Sequence, residues 1–203
     1  MDDTISGKVV IVTGGGRGLG KAMAVGLVSE GAKVAITASK EGSELEETAK
    51  QCINIGGENC VLTLKADVSS FSECEGVIQQ VINKWGGVNV LINNAGRGMT
   101  YVDKEFVKNR PKLWDIDTNA WNMIIDTNLN GIFNMSKLVI PYMLEEGWGR
   151  VVNISTSLMT MQRKGYSPYG STKWAVEGLT CILAQDLEET NITANILIPG
   201  GAT

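Results

Sequence analysis

The residues best suited to proton chemistry in this sequence are Tyr169 and Lys173, four residues apart at the start of an apolar-periodic stretch. A helix would place the phenol and the ammonium on one face. A free phenol titrates near pH ~10 and is a poor base at neutral pH. A cation about 4 Å away, at an effective dielectric constant of about 20, could lower its pKa by on the order of three units before desolvation is subtracted. An ordinary helix face has the same spacing, so other motifs must decide.

A glycine-rich segment near the N-terminus predicts a phosphate-binding loop. An apolar run at 9–12 is typical of a short buried strand, and a helical pattern covers 18–30. The loop joining them contains Thr13, Gly14, Gly15, Gly16, Arg17, Gly18, Leu19 and Gly20. Glycines let the backbone approach a pyrophosphate, and the positive end of the helix binds the anion through free amides. The spacing, G-x-x-x-G-x-G, differs from the standard G-x-G-x-x-G, and a turn without ligand is the alternative, but the strand-loop-helix order favours phosphate binding.

Polar residues also follow the later strands. The run at 90–93 closes with two amides and two small residues, Asn93, Asn94, Ala95 and Gly96. Three hydroxyl residues and a P-G pair follow the last two strands: Ser155, Thr156, Ser157, Pro199 and Gly200. Asn128 lies inside a helical pattern, where asparagine is a poor helix former. It therefore has either a specific role or a place on the surface.

In order and spacing, these motifs resemble the short-chain dehydrogenase/reductase family, with its T-G-x-x-x-G-x-G loop, N-N-A-G, catalytic Asn and Ser, Y-x-x-x-K and terminal P-G. The resemblance spans residues 8 to 203. It implies a nicotinamide-dependent oxidoreductase in which Tyr169 is the general acid/base. Lys173 would lower the pKa of the tyrosine and hold the nicotinamide ribose, and Asn128 would keep a proton-relay water.

One position departs from the family pattern. The substrate-orienting serine usually follows N-[IV]-S and lies 13 residues before the tyrosine, and here both counts lead to Thr156. A threonine hydroxyl can donate the same hydrogen bond, whereas a shift of one residue would present Ser157. Ser155 is the weaker candidate, because strand alternation turns it away from Thr156. Thr156 and Ser157 both remain candidates.

Alternating strand and helix patterns predict an α/β fold with one Rossmann-like, doubly wound parallel sheet. Strands are expected near 9–12, 33–37, 61–65, 90–93, 150–154 and 193–198, and helices near 18–30, 42–55, 71–85, 122–147 and 168–190. Right-handed crossovers give the strand order 3-2-1-4-5-6, with ligands outside the carboxyl ends of the strands. Residues 1–203 should form a single dinucleotide-binding domain.

The resemblance places a substrate-covering segment, a helix and a seventh strand after the P-G-x-x-T turn at 199–203. The sequence contains none of these, so we expect a C-terminally truncated domain with low turnover. Its sixth strand would be an edge, with exposed apolar side chains at Ile196 and Ile198.

The irregular span from Arg97 to Asn119 is the longest in the sequence, and long loops in compact domains are often functional. Aromatic and methionine side chains here and after the fifth strand predict a moderately apolar substrate pocket, although packing against the sheet is an equal alternative. These side chains are Tyr101, Phe106, Trp114, Trp121, Met159, Met161 and Tyr166.

The second strand favours NADP(H) over NAD(H). NAD enzymes of this fold commonly end this strand with an acid on the ribose 2′-hydroxyl, but Ala38 occupies the position here. Arg17, Ser39 and Lys40 could hold a 2′-phosphate, although a solvated Arg and Lys are the alternative. The resemblance also assigns an adenine contact to Asp67 and Val68. The expected cofactor residues are Gly14, Gly16, Arg17, Gly18, Leu19, Gly20, Ser39, Lys40, Asp67, Val68, Asn94, Ala95, Gly96, Lys173, Pro199 and Gly200.

Composition limits the remaining functions. A net charge of −4 without a basic run argues against nucleic acid, and no apolar stretch is long enough to cross a membrane. The start Met1-Asp2-Asp3 lacks the features of a signal peptide, so a cytoplasmic protein is expected. Four scattered cysteines and zero histidines argue against a metal site, and the lack of histidine excludes a Ser-His-Asp hydrolase.

Two functions fit these observations. The first is an NADP(H)-dependent reductase or dehydrogenase acting on a small ketone or secondary alcohol. The second is a nucleotide-binding protein of the same fold with little or no turnover. A methyltransferase on a related sheet would not explain Y-x-x-x-K. The resemblance further implies a homodimer or homotetramer, assembled through the helices that contain Asn128 and Tyr169–Lys173.

Overall fold

Short runs of β-branched and other apolar residues form the strands of the protein. The computed structural model describes residues 4–40 and 42–200, with strands β1 (Val9–Val12), β2 (Lys33–Ala38), β3 (Val61–Lys65), β4 (Val90–Asn93), β5 (Gly149–Ile154) and β6 (Ile192–Leu197). They form one parallel sheet in the order β3-β2-β1-β4-β5-β6, as predicted. Every residue of the central strands β1 and β4 is buried, as expected for a sheet covered on both faces.

Helices connect successive strands and cover both faces of the sheet. They are α1 (Gly18–Ser29), α2 (Ser43–Gly56), α3 (Phe71–Trp85), α4 (Thr118–Ile125), α5 (Gly131–Glu146), α6 (Leu158–Met161) and α7 (Ser167–Asp186). The first three helices lie close to their predicted positions. Within the described residues, no helix combines the length and apolar character needed to cross a bilayer.

The helix predicted at 122–147 is interrupted in the structure. It begins earlier, at Thr118, because the Asp117 carboxylate caps its first turn by accepting from the backbone N–H groups of Asn119 and Ala120. A π-helical turn, Asp126–Asn130, then separates α4 from α5. Such turns insert an extra residue into a helix and are frequent at functional sites. Here the π-helical turn contains Asn128.

Two further differences lie near the C-terminus. The short helix α6 was not predicted, and the last helix ends at Asp186, a few residues earlier than expected. As predicted, β6 is an edge strand and Ile198 is exposed, but Ile196 is half-buried. The expectations about residues 1–3, Glu41 and the end of the turn at 199–203 lie outside the described residues.

Apolar cores lie on the two faces of the sheet, because successive strand residues point to opposite sides. In β1, Ile11 packs in the core that includes side chains of α3 and α5, whereas Val10 and Val12 pack in the core that includes side chains of α1 and α2. Burial on both faces leaves only the ends of the strands open to a ligand. The carboxyl ends are therefore the place to look for the site.

Gly20 and Gly26, both in α1, form a matched pair for testing the close packing at the start of this helix. A Cβ on Gly20 would overlap the carbonyl oxygen of Gly14 and lie 2.6 Å from Asn94 Nδ2, whereas a Cβ on Gly26 meets nothing within 4 Å. We expect Gly20→Ala to lower the free energy of unfolding by about 1–3 kcal/mol. Gly26→Ala should raise it by up to about 1 kcal/mol, because alanine favours the helix. Urea denaturation measures both, and equal stability of the two variants would contradict the packing argument.

Candidate active site

The glycine-rich loop forms one wall of a cavity of about 870 Å³ at the carboxyl edge of the sheet. Gly14 has a positive φ of 65°. Its backbone lies close to the segment that follows β4, so a Cβ on Gly14 would be 3.0 Å from Ala95 Cα. The N-N-A-G segment fixes this loop: Asn94 Nδ2 donates to the carbonyl oxygens of Thr13 and Gly14, at 2.9 and 3.1 Å. In return, Thr13 Oγ1 accepts the backbone N–H groups of Asn94 and Ala95, both at 3.0 Å.

Most of the predicted cofactor residues line this cavity. They are Gly14, Gly16, Arg17, Gly18, Leu19, Ser39, Lys40, Asp67, Val68, Asn94, Ala95 and Gly96. Gly20 does not line it, because this residue is packed beneath Gly14 and Asn94. Lys173, Pro199 and Gly200 line a second cavity, of about 720 Å³. The two cavities share Leu19, Asn94, Gly96 and Arg97, so they adjoin.

The cations predicted to hold a 2′-phosphate have an acidic neighbour that the sequence did not reveal. Arg17 Nη1 lies 3.7 Å from Glu44 Oε1, and both side chains are well exposed. Glu44, in the first turn of α2, lines the same cavity as Lys40 and Ser39. The site therefore presents two cations and one carboxylate. An exposed pair at this distance is weak, so the guanidinium is readily available to another anion.

Asp67, the predicted adenine contact, is already bonded within the protein. Its Oδ1 accepts from the backbone N–H and the hydroxyl of Ser69, at 3.0 and 2.7 Å, and its Oδ2 accepts from Arg97 Nη2 at 3.0 Å. Burial alone would raise the pKa of Asp67, but the hydrogen bonds from Ser69 and the charge of Arg97 outweigh it and lower the pKa. The carboxylate is therefore ionised at neutral pH.

Two buried hydroxyls in the cavity wall have no hydrogen-bond partner among the described residues. They are Thr37 Oγ1, at the end of β2, and Thr127 Oγ1, in the π-helical turn. A buried polar group without a partner costs free energy, which a bound ligand would recover. No sequence signal distinguishes these threonines from others.

The second cavity brings together four of the predicted catalytic residues, whereas Asn128 lines neither cavity. Tyr169 and Lys173 lie one turn apart on α7, and both line it with Thr156 and Ser157. Lys173 Nζ donates to the carbonyl oxygen of Ile154 at 2.7 Å and lies 5.6 Å from the centre of the Tyr169 ring. Thr156 lies close enough to Tyr169 to lower the pKa of its phenol. The predicted convergence of these groups is therefore observed.

The pKa of Tyr169 is shifted in the direction opposite to the one expected. Burial raises it above 10, the Thr156 hydrogen bond lowers it less, and Tyr166 raises it further. Burial also lowers the pKa of Lys173 to about 8. Desolvation dominates for both groups because the ammonium is held on the Ile154 carbonyl rather than against the phenol oxygen. The expected lowering of the tyrosine pKa by Lys173 is therefore absent here.

The three hydroxyl residues after β5 have different partners. Ser155 also lines the second cavity, but it is buried and its hydroxyl donates to Glu177 Oε1 at 2.7 Å. Ser157 caps α6: its hydroxyl lies 3.0 Å from Thr160 Oγ1 and accepts from the Thr160 backbone N–H at 3.3 Å. Of the three, only Thr156 influences the pKa of Tyr169.

Asn128 is fully buried, so a surface position is excluded. Its Oδ1 accepts from the backbone N–H of Arg97 at 2.7 Å, and its Nδ2 donates to the Arg97 carbonyl oxygen at 3.0 Å. The same Nδ2 lies 3.2 Å from the hydroxyl of Thr172, next to Lys173 on α7. Its side chain thus joins the start of the long loop to the catalytic helix.

Only part of the predicted aromatic wall is present. Tyr101 lines the first cavity, and Phe106 and Tyr166 line the second, with the Tyr166 ring edge-on to Phe106 and Tyr169. The other four candidates line neither cavity. Trp114 and Met159 are largely exposed, Trp121 is half-buried, and Met161 packs against Gly170.

Sequence reasoning missed Glu177 and the side chain of Arg97. Glu177 lies four residues after Lys173, and this helical spacing from Tyr169 and Lys173 was the available signal. Arg97 directly follows N-N-A-G, but its partner Asp67 lies 30 residues away, and no local pattern predicts that pair.

The sequence model of the family described as short chain dehydrogenase matches residues 8–203. The chain belongs to the short-chain dehydrogenase family. Among curated proteins, a short-chain type dehydrogenase/reductase of Picea abies is 34% identical over 200 residues, covering 97% of this chain and 71% of the relative. A 3-oxoacyl-[acyl-carrier-protein] reductase, FabG, of Staphylococcus epidermidis is 33% identical over 193 residues, covering 95% and 74%.

Solved structures agree with this assignment. A metagenomic short-chain oxidoreductase in complex with NADP superimposes with a TM-score of 0.86 at 27% identity, over 98% of this chain and 85% of that one. A putative short-chain alcohol dehydrogenase from Sinorhizobium meliloti 1021 gives a TM-score of 0.83 at 31% identity, over 96% and 72%. The family resemblance and the predicted fold are confirmed.

The buried ammonium of Lys173 should make stability depend on pH. Because burial lowers its pKa from 10.5 to about 8, the folded protein loses this proton first, and the free energy of unfolding should rise with pH between these values. Lys173→Met removes this rise. From about pH 7 to about pH 9.5, the stability difference should therefore move in favour of wild type by about 1–2 kcal/mol. Urea denaturation at several pH values measures it, and a difference independent of pH would contradict the buried titration.

Proposed function

We propose that this protein is an oxidoreductase that transfers a hydride between NADP(H) and a ketone or secondary alcohol. The observation that carries the proposal is the meeting of Tyr169, Thr156 and Lys173 in a cavity that adjoins the glycine-loop cavity. This juxtaposition puts a proton donor, a hydrogen-bonding hydroxyl and a cation beside a phosphate-binding loop. Hydride exchange with a carbonyl requires such a pairing of proton transfer and dinucleotide binding.

The residues of the first cavity fit a phosphorylated dinucleotide. A Cβ would fill the close approaches at Gly14 and Gly20, the start of α1 offers backbone amides, and Thr37 and Thr127 offer unpaired hydroxyls. Arg17 and Lys40 would hold the 2′-phosphate with Ser39, and Ala38 places no carboxylate against it. The NADP complex of the metagenomic relative supports this assignment. When bound, the nicotinamide supplies or accepts the hydride.

Tyr169 is the proposed proton donor to the substrate oxygen during reduction. The phenol is protonated at neutral pH and so has a proton to donate, and its raised pKa makes it a weak general acid. Thr156 orients the substrate oxygen by a hydrogen bond, and Lys173 adds positive charge to the same pocket. Asn128 fixes the backbone of Arg97 and the neighbouring Thr172. A proton-relay water at Asn128, which the family resemblance implies, remains a prediction.

The alternative is a nucleotide-binding protein with little turnover, favoured by the threonine at the family's serine position and by the raised pKa of Tyr169. A screen of ketones, aldehydes and secondary alcohols with NADPH and NADH separates the two. NADPH-dependent reduction of any ketone supports the proposal. Tight NADPH binding without turnover across the panel supports the alternative, and stronger binding of NADH would contradict the assignment of the cofactor.

We further propose that copies of the chain assemble as a homodimer or homotetramer through the helices that contain or flank the catalytic residues. Large apolar side chains remain exposed there: Phe133 and Leu144 on α5, and Trp174 and Ile182 on α7. Exposed apolar residues grouped on neighbouring elements are typical of protein–protein contacts. Sedimentation velocity tests this proposal directly.

Tyr169→Phe tests the catalytic assignment. The variant loses the transferable proton but retains the ring that packs on Tyr166, so kcat should fall on the order of 10²-fold or more while the NADPH affinity stays nearly unchanged. Stopped-flow turnover and fluorescence titration of NADPH provide the two values. Retention of most of the turnover would rule out Tyr169 as the proton donor.

Thr156→Ala and Ser157→Ala separate the two candidate hydroxyls. Thr156→Ala should lower kcat/KM on the order of 10²-fold, about the effect of one oriented donor at a polarised oxygen. Ser157→Ala should change kcat/KM little and lower the free energy of unfolding by about 1 kcal/mol, because that hydroxyl caps α6. Kinetics and urea denaturation measure both effects, and the reverse kinetic ranking would assign substrate orientation to Ser157.

A further inference from the structure

Arg97 lies where the two cavities meet, and its backbone is held rigidly. The amide group of Asn128 bonds both to the N–H and to the carbonyl oxygen of Arg97, at 2.7 and 3.0 Å. The backbone of Arg97, shortly after the end of β4, is therefore held in one position. It is one of the residues that line both cavities.

The guanidinium of Arg97 is also fixed at its far end. Its Nη2 donates to Asp67 Oδ2 at 3.0 Å, and its central carbon lies 5.4 Å from the centre of the Tyr101 ring. The side chain is only 20% exposed. An arginine held in this way presents a flat, weakly hydrated cation with one edge on a carboxylate and an aromatic ring nearby.

The remaining hydrogen-bonding capacity of Asp67 indicates what such a surface could receive. A carboxylate has about four acceptor positions. Three are used, by the two bonds from Ser69 to Oδ1 and the one from Arg97 to Oδ2. A further donor would therefore bind at Oδ2, beside the guanidinium. In the same cavity, the buried hydroxyl of Thr127 has no partner among the described residues, which independently points to a polar ligand here.

We propose that Arg97 is a binding residue for the adenine end of the dinucleotide, with its guanidinium stacked on the purine between Asp67 and Tyr101. The purine amino group then donates to Asp67 Oδ2, and Thr127 bonds to another edge of the base. This inference rests on the proposed function for the identity of the ligand. It assigns Arg97 to affinity for the base, whereas Arg17 and Lys40 act on the 2′-phosphate.

A purely structural role for the Arg97–Asp67 pair makes a different prediction. If the pair only anchors the loop that follows β4, its loss would disturb Asn128 and the catalytic pocket as much as the adenine end. The two roles are therefore distinguished by ligands that occupy only one of the two cavities. Adenosine 2′,5′-bisphosphate contains the purine and the 2′-phosphate, and reduced nicotinamide mononucleotide contains neither.

The variants are Arg97→Met, which keeps the length but removes the charge and the plane, and Arg97→Lys, which keeps the charge. Tyr101→Leu removes the ring behind the guanidinium at a half-exposed position and so keeps the test open if Arg97→Met fails to fold. The matched control is Lys112→Met, which removes another cation that lies over an aromatic ring, Trp114, in the same loop. Calorimetry measures binding of adenosine 2′,5′-bisphosphate to each variant of the whole chain.

We expect Arg97→Met to weaken binding of adenosine 2′,5′-bisphosphate by about tenfold, the size of a desolvated cation–π contact. Arg97→Lys and Tyr101→Leu should weaken it less, and Lys112→Met should leave it unchanged. Turnover with reduced nicotinamide mononucleotide should stay within about twofold of wild type in Lys112→Met, and in the other three variants it should fall by less than the affinity for adenosine 2′,5′-bisphosphate. Unchanged adenosine bisphosphate affinity in Arg97→Met would overturn the proposal, and so would an equal loss of mononucleotide turnover.

The outcome also separates this inference from the proposed function. If wild type binds adenosine 2′,5′-bisphosphate in an Arg97-dependent way but reduces no carbonyl, the oxidoreductase proposal fails and the adenine site stands. If wild type reduces carbonyls with NADPH and Arg97→Met binds the bisphosphate normally, the oxidoreductase proposal stands and the assignment of Arg97 to the adenine site fails. If wild type does not bind the bisphosphate at all, the adenine site is overturned, and the carbonyl screen alone decides the oxidoreductase proposal.

Discussion

Buried amide side chains at the carboxyl ends of β4 and β5 are the constraint on which the rest of the site depends. Asn93 Nδ2 donates to Asn153 Oδ1 at 2.8 Å between neighbouring strands, and Asn153 Nδ2 donates to Thr180 Oγ1 on α7 at 2.9 Å. A buried amide without a partner is costly, so these bonds favour one register. A slip of one residue would also turn every strand side chain to the wrong face. The amides therefore fix β4 and β5 in the register that the loops require.

Helix α7 is fixed to the same edge at three residues that lie four positions apart. Along one face of α7, Tyr169, Lys173 and Glu177 contact the side chain of Thr156, the carbonyl oxygen of Ile154 and the hydroxyl of Ser155, respectively. The helical spacing of four residues matches these contacts because α7 runs across the end of β5. The position of Thr156 therefore follows from contacts on both sides of it. A change at Glu177 would reach the catalytic hydroxyl through Ser155.

The parts of this structure that could be predicted are those coded by local patterns. The strand order follows from the alternation of elements and the right-handed crossover, which leaves few topologies. The meeting of Tyr169 with Thr156 follows from the fold, because Thr156 directly follows β5 and the helix α7 that contains Tyr169 begins at the same edge of the sheet. Burial of Asn128 could be suspected because asparagine disfavours a helix interior.

The features that escaped prediction depend on distant partners or on burial. The π-helical turn at Asn128 exists where the side chain bonds to Arg97, 31 residues earlier. The pairing of Arg17 with Glu44, and of Arg97 with Asp67, depends on how neighbouring loops meet. A low pKa of Tyr169 was expected because the attraction of the Lys173 ammonium was assumed to outweigh desolvation. In the folded protein, desolvation is the larger effect.

Burial therefore sets the order in which the two catalytic groups titrate. Lys173 has a pKa of about 8, whereas the pKa of Tyr169 is raised above 10, so the ammonium loses its proton before the phenol does. At neutral pH the site holds a neutral phenol beside a largely protonated lysine, which is the arrangement needed to donate a proton to a carbonyl oxygen. Oxidation of an alcohol would require the phenolate, and it would need an additional interaction to lower the pKa of Tyr169.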